Sequence, residues 1–223
     1  MRLFIAEKPS VAKAIAKSLP GTVKNARTHI EVGQDVVTWC VGHLLALAPP
    51  DKYDPQLKNW RDETLPIFPR QWKMEVQSEV KSQVNAIRDL ALRADTIVHA
   101  GDPDREGQLI VDEVLTYLNV RKPTLRLWLS AVDATSVKRA LASMKNNEEL
   151  VPMGIEALAR SRADWLVGMN LTRAYTLAAR RGGFDGVVSI GRVQTPTLSI
   201  VVERDLAIQS FKPTPYYVPV VDV

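Results

Sequence analysis

The stretch Thr96-Ile97-Val98-His99-Ala100-Gly101-Asp102-Pro103-Asp104-Arg105-Glu106-Gly107-Gln108 decides the fold. Its opening run, Thr96 to Ala100, is apolar and reads as a buried strand. Asp102, Asp104 and Glu106 follow at alternate positions. Carboxylates at that density repel one another when ionised, and a divalent cation or an interleaved base such as Arg105 resolves the repulsion. Mg²⁺ suits such a loop, because it prefers oxygen ligands, takes one or two carboxylates and keeps waters for a phosphate. A solvated acidic turn is the alternative reading. A helix pattern follows at about Gln108–Leu118, giving strand, acidic turn and helix in succession.

The same alternation extends outward. Leu3-Phe4-Ile5-Ala6 is a short apolar strand, and Pro9 opens a helix with Val11, Ala12, Ile15, Ala16 and Leu19 on one face. Val36–Val41 reads as another strand, and the proline-rich segment 49–70 as an irregular loop. Val76, Val80, Val84, Ile87 and Ala91 repeat at helical spacing before the central strand. Beyond the acidic motif come a strand at Thr124–Leu129 and a helix from about Thr135. The pattern predicts an α/β domain with a mainly parallel sheet and helices on both faces. Ligands of open parallel sheets bind beyond the carboxyl ends of the strands. That rule places Glu7, just past the first strand, on the same rim as Asp102, Asp104 and Glu106.

The texture changes after Val151-Pro152. Residues 154–180 are almost wholly helix-like, with an apolar stripe through Ile155, Leu158, Leu166, Met169 and Leu177. Arg160 and Asp164 stand four apart and can pair on one face. In Ser189-Ile190-Gly191-Arg192-Val193-Gln194-Thr195-Pro196, Thr195 and Pro196 fit an N-cap and first helical residue. A helix start flanked by Ser189, Arg192 and Gln194 is a candidate phosphate cradle; a plain capped helix is the alternative. Tyr216–Val223 reads as a strand beginning and then stopping. The expected domains are therefore 1–150, 151–215 and the opening strand of a third at 216–223.

The 223 residues carry a net charge of +4, with 46% hydrophobic and 24% charged residues, an ordinary composition for a globular chain with a real core. Arg160, Arg162, Arg173, Arg180, Arg181 and Arg192 crowd one region against only Asp164 and Asp185, as contact with a phosphate backbone would favour; a solvated helix face is the alternative reading for any one of them. Cys40 is the one cysteine, so the chain builds no internal disulfide and no thiolate zinc site. The three histidines are widely separated, which argues against a histidine metal site. Glu7 interrupts any signal-like N-terminal run, and no apolar stretch has bilayer length, so the expected compartment is the cytoplasm, close to the nucleoid.

Taken together, MRLFIAEKPSVAKAIA (1–16), VVTWCVGHLL (36–45), HAGDPDREGQLIVDEVL (99–115), ARSRADWLVGMNLTRAYT (159–176) and SIGRVQTPTL (189–198) resemble the type IA DNA topoisomerases, most closely the bacterial topoisomerase III branch. The acidic motif alone marks the Toprim fold, which primases, some nucleases and type II topoisomerases share; its pairing with AEKPS and GRVQTPTL is more specific. The resemblance implies a Rossmann-like Toprim domain followed by a mostly helical, winged-helix-like segment. It implies that Glu7 assists proton transfer at the leaving 3′ oxygen and that Lys8 holds the scissile phosphate. It further implies that Asp102, Asp104 and Glu106 bind Mg²⁺, and that Arg160, Asp164, Ser189, Arg192 and Gln194 line a single-strand groove. Ser161 stands where the topoisomerase I branch often carries a second arginine. The family's nucleophilic tyrosine lies in a TYPRSD-like motif, which none of the five tyrosines here matches. The chain is thus expected to hold half of an active site and to be catalytically incomplete alone.

The implied reaction is ATP-independent cleavage of one strand through a 5′-phosphotyrosine, and no P-loop is present to bind a nucleotide. Single-stranded or underwound duplex DNA is the implied partner, with a helicase as a further candidate and no membrane. Neighbouring carboxylates are expected to raise the pKa of Glu7. Backbone-dominated contacts predict weak sequence preference and steep salt dependence. Two other readings use the same residues: a metal-dependent Toprim nuclease, and a non-catalytic single-strand DNA-binding fragment.

Overall fold

In the computed structural model, which describes residues 1–221, the chain begins with β1 (Arg2–Ala6), α1 (Pro9–Ser18), β2 (Val23–Asn25), β3 (His29–Val32), β4 (Asp35–Trp39) and β5 (Leu45–Leu47). Three 3₁₀ turns lie between Pro50 and Thr64, inside the expected loop. There follow β6 (Met74–Val76), α2 (Lys81–Arg93), β7 (Thr96–Ala100), α3 (Arg105–Tyr117), β8 (Thr124–Arg126), α4 (Ala134–Ala142) and β9 (Lys145–Asn146). Two long helices complete the list, α5 (Val151–Arg181) and α6 (Gln194–Gln209).

The main sheet has the order β2-β3-β4-β1-β7-β8-β9. Its centre, β4-β1-β7-β8, is parallel, while β2, β3 and β9 add antiparallel wings. "Mainly parallel" therefore holds for the centre only. The wing arises because Gly33, at φ +58°, lets β3 and β4 join through two residues, too short a link for a parallel crossover. Side chains of β1 divide by parity: Leu3 and Ile5 enter a core under α2 and α3, and Phe4 and Ala6 enter one under α1 and α4. Burial on both faces is what makes β1 and β7 read as continuous apolar runs.

Several boundaries differ from the sequence reading for local reasons. α3 starts at Arg105, inside the acidic motif, because the Asp104 carboxylate accepts the Gly107 N–H at 2.7 Å and caps it. α6 starts at Gln194 with Val193 as its uncapped N-cap. Thr195 is thus not the cap; its hydroxyl accepts the Gly191 N–H at 3.0 Å. Pro196 still falls within the first turn, where amides lack intrahelical partners. β8 stops at Arg126, although the Leu127 N–H still reaches the His99 carbonyl at 2.9 Å. Residues 216–221 form no strand, and no neighbouring strand offers them a ladder among the described residues; the rest of the expected 216–223 strand lies outside those residues.

Two compact units emerge, one formed by Met1–Lys58 with Phe68–Trp165, the other by Asn59–Ile67 with the residues from Leu166 onward. The division falls within α5. In the first unit Trp165 is buried, donates its indole N–H to the Ala48 carbonyl at 3.1 Å, and meets Trp72 and Tyr53 edge-on. In the second, Asn170 bonds both the N–H and the carbonyl of Ile67, and Arg173 stacks 5.2 Å from the centre of the Trp60 ring. Thr172 and Thr176 of α5 fasten the extended segment at Ile190 and Val188 through their hydroxyls. Among the described residues this unit contains helices and no wing strand. No helix among them is long and apolar enough to cross a membrane. Cys40 is wholly buried, and burial pushes its thiol pKa up.

Candidate active site

The parallel register of β1 and β7 pairs Ala6 with Ala100, so both strands end at one level. Glu7 and Asp102 therefore emerge side by side. The Asp102 N–H donates to Glu7 Oε2 at 3.1 Å, and Lys8 Nζ donates to Asp102 Oδ2 at 2.6 Å. The strand end is anchored from β4, whose following residue Cys40 donates its N–H to the Ala6 carbonyl at 2.7 Å.

Two glycines permit this closeness. A Cβ on Gly107 would come within 2.8 Å of Glu7 Oε2 and 2.6 Å of the Asp102 nitrogen, and one on Gly101 within 2.1 Å of the Gly107 carbonyl oxygen. The acidic loop thus packs backbone against backbone on the first turn of α3.

The expected rim is only partly assembled. Glu7, Lys8 and Asp102 are joined directly. Asp104 spends one oxygen on its helix cap. Glu106 faces Arg160 Nη1 at 3.8 Å, and Arg160 also lies 3.9 Å from Asp164 in an i,i+4 pair. Among the described residues no three His, Cys, Asp or Glu side chains converge on one metal-sized point. In the second unit Gln194 Nε2 donates to Ser189 Oγ at 2.7 Å, drawing those two together in the segment that also carries Arg192.

The Glu7 pKa is raised, as expected, but for a different leading reason. Burial contributes most, the bond from the Asp102 amide opposes it, and repulsion from the Asp102 and Asp104 carboxylates ranks below both. Position at a packed strand end outweighs acidic neighbours. Lys8 is held above its ordinary value by its bond to Asp102.

Behind the loop lies a buried polar group that the sequence reading missed. The Arg126 side chain is wholly inside. Its Nη2 donates to the Asp102 carbonyl at 2.8 Å, its Nη1 to the Gly101 and Leu127 carbonyls at 2.9 and 2.7 Å, and its Nε to Gln108 Oε1 at 2.8 Å. One guanidinium therefore holds both carbonyls at the turn of the acidic loop. An arginine within the apolar run Thr124–Leu129 was the available signal.

His99, also buried, accepts the Gly101 N–H at Nδ1, so Nε2 carries the proton and donates to the Gln108 carbonyl at 3.0 Å. Burial first, and then the charge of Arg126, lower its pKa from 6.5 to about 3. The unfolded chain therefore binds this proton more readily than the native one, and stability present above pH 6.5 is lost as pH falls toward 3. Glu7, Asp112 and Glu113, raised by burial, act in the opposite sense. A His99→Gln variant isolates the histidine. In urea unfolding between pH 4 and 7, wild type should lose stability relative to the variant by up to about 1.4 kcal/mol per pH unit. Parallel pH profiles would show that the His99 proton is not linked to folding.

A parallel-centred sheet with helices on both faces, a glutamate ending its first strand and an acidic loop ending the next define a Toprim-type α/β domain. The chain belongs to the Toprim domain family, whose model matches residues 2–132, and a DNA topoisomerase family model matches residues 150–222. It is 51% identical over 222 residues to DNA topoisomerase 3 of Haemophilus influenzae, covering 97% of this chain and 34% of that protein. It is 50% identical to DNA topoisomerase 3 of Vibrio cholerae, again over 97% of this chain and 34% of the relative. Bacillus subtilis DNA topoisomerase 3 is 40% identical over 96% of this chain and 29% of its own length. The chain thus spans about a third of the length of the curated relatives it matches. The solved structure of full-length topoisomerase I from Thermotoga maritima shares the fold, with a TM-score of 0.61 at 24% identity over 95% of this chain and 31% of that one.

Proposed function

We propose that this chain forms the Toprim side of the active site of a type IA DNA topoisomerase of the topoisomerase III kind. The parent enzyme relaxes or decatenates DNA by cleaving one strand transiently, without ATP, through a 5′-phosphotyrosine. The joined Glu7, Lys8 and Asp102 at the ends of β1 and β7 carry this reading. Lys8 Nζ, half exposed, places positive charge where a phosphate oxygen can meet it, and Glu7 supplies a carboxyl group for the proton at the departing 3′ oxygen. Arg160, Asp164, Ser189, Arg192 and Gln194 are assigned to the DNA strand on the family resemblance. The nucleophilic tyrosine would be supplied from outside these residues, since none of the five present carries the expected motif. That assignment makes the chain alone catalytically incomplete.

The donor set at the acidic loop is oxygen only, which fits Mg²⁺ bound through one or two carboxylates. Asp102 and Asp104 would hold it, with Glu106 following on the first turn of α3. When bound, the ion would add positive charge at the phosphate. Part of the loop's charge is met by Lys8 from the start of α1, whereas the interleaved Arg105 pairs with Glu156 at 2.6 Å.

The test is covalent trapping. Full-length protein is mixed with single-stranded oligonucleotide and Mg²⁺, stopped with detergent and scored for DNA linked to protein. Glu7→Ala should reduce trapped product at least about a hundredfold with single-strand binding retained. Undiminished cleavage by the variant, or wild-type product with a free 5′-phosphate and no linked protein, would overturn the reading.

A further inference from the structure

A solvent-facing cavity of about 510 Å³, a size usual for small-molecule sites, is lined by residues of α2 and β6, by Lys52 and by Tyr117, the last residue of α3. Lys52, Lys81 and Arg88 stand there against one carboxylate, Glu75. Lys81, Asn85 and Arg88 follow the i, i+4, i+7 spacing of a single face of α2. Met74, Val76 and Val84 supply apolar wall, and the half-exposed Tyr117 an aromatic surface.

These cations are compensated unequally. Lys52 Nζ pairs with Glu75 Oε1 at 3.3 Å, which uses the one carboxylate of the lining. The side chains of Lys81 and Arg88 form no ion pair or hydrogen bond among the described residues. Lys81 also opens α2, where a cation opposes the partial positive charge of a helix start. The first turn holds no acidic residue to offset it, and the Val80 side chain caps no amide. Glu79, just upstream, is bonded to Ser78 and does not line the cavity. Two unpaired cations and a helix start border one polar cavity, and a phosphomonoester, with roughly −1.5 to −2 charge near neutrality, has the matching complement. The guanidinium fork of Arg88 suits two phosphate oxygens at once.

We propose that this cavity binds a nucleoside phosphomonoester, its phosphate held by Lys81 and Arg88 and its base laid against Tyr117. Asn85, between the two cations on the same face, offers its amide to a phosphate or sugar oxygen. A phosphodiester, with a single negative charge, matches the two cations less well. The cavity shares no residue with the Glu7–Lys8–Asp102 cluster, so its occupancy is independent of the activity assigned there.

The test titrates full-length protein in EDTA with thymidine 5′-monophosphate, its phosphate methyl ester and thymidine, following saturation transfer to the ligand. The monophosphate should bind with Kd on the order of 1 mM or tighter, and about tenfold or more tightly than the other two. Lys81→Gln with Arg88→Gln, at two exposed positions, should remove that preference, and Tyr117→Ala should weaken the monophosphate about threefold. Displacement of the monophosphate by a 5′-phosphorylated oligothymidylate, and not by its 5′-hydroxyl counterpart, would place the phosphate on a DNA end. Displacement by neither would make the free nucleotide the ligand, and either result supports the site. Displacement by the 5′-hydroxyl oligomer, equal binding of the three probes, unchanged affinity in the double variant or in Tyr117→Ala, or no saturable binding at millimolar concentration would overturn the proposal.

Discussion

Replacing Arg126 by alanine should lower the unfolding free energy by about 3–5 kcal/mol, the loss typical of removing one partner from a buried charged network. The side chain is inaccessible to solvent, and its removal strips donors from the Gly101, Asp102 and Leu127 carbonyls and from Gln108 Oε1. The Gly101 and Leu127 carbonyls and Gln108 Oε1 are bonded to the guanidinium inside the core, while the Asp102 carbonyl is part-buried and keeps the Asp104 N–H at 2.9 Å. Burial already draws the Arg126 pKa down from 12.5 to about 10, so the charge is tolerated because it is bonded all round. For a chain of this size the loss corresponds to a fall in Tm of roughly 10 °C. Arg126→Lys should recover only part of it, because an ammonium cannot reproduce the fork that spans two loop carbonyls and a side-chain amide. Differential scanning calorimetry of the three proteins checks this, and an alanine variant within about 1 kcal/mol of wild type would contradict the network's importance. Amide exchange at Asp102 gives a second readout, since its loop should open more often once Arg126 is gone.

The second large effect is steric. Gly101→Ala would place a Cβ 2.1 Å from the Gly107 oxygen, 2.8 Å from the Gly107 carbonyl carbon and 2.9 Å from His99 Cε1. Two of those atoms are backbone in the first turn of a helix, and the third belongs to a ring bonded at both nitrogens. No flexible chain end can move aside, so the loop itself must shift. Overpacking of this kind costs about 3 kcal/mol or more where the surroundings cannot yield. Displacement of the loop would carry Asp102 away from Lys8 and Glu7. Chemical unfolding measures the first consequence, and loss of the trapped DNA product in the full-length enzyme measures the second. A variant with wild-type stability and wild-type trapping would show that the loop has slack the structure does not display.

Much of this was readable beforehand because the strongest signals were local. The apolar runs at 3–6 and 96–100 needed no partner to be recognised as strands, and strand-end logic then brought Glu7 and Asp102 to one rim. What escaped depended on tertiary packing. An arginine inside the apolar run Thr124–Leu129 hinted at burial, but the carbonyls of the loop after β7 that Arg126 meets belong to tertiary packing. Burial, and not charge density, leads the shift at Glu7, and burial is a property of the folded strand end. Asp104 was read as a potential metal ligand, which its composition allows, while its role as a helix cap required knowing where α3 begins. The compact units part inside α5, where a continuous helix carries no break in its pattern, although Trp165 is packed beneath Ala48 and the residues from Leu166 onward belong to the other unit.

The burial of Cys40 has a practical corollary. The chain's one sulfhydryl sits in the core with its proton held tightly, so the native surface offers no nucleophilic sulfur. A cysteine introduced on the rim beside Lys8 would be the sole reactive thiol of these 223 residues, a site for a disulfide or maleimide tether to an oligonucleotide.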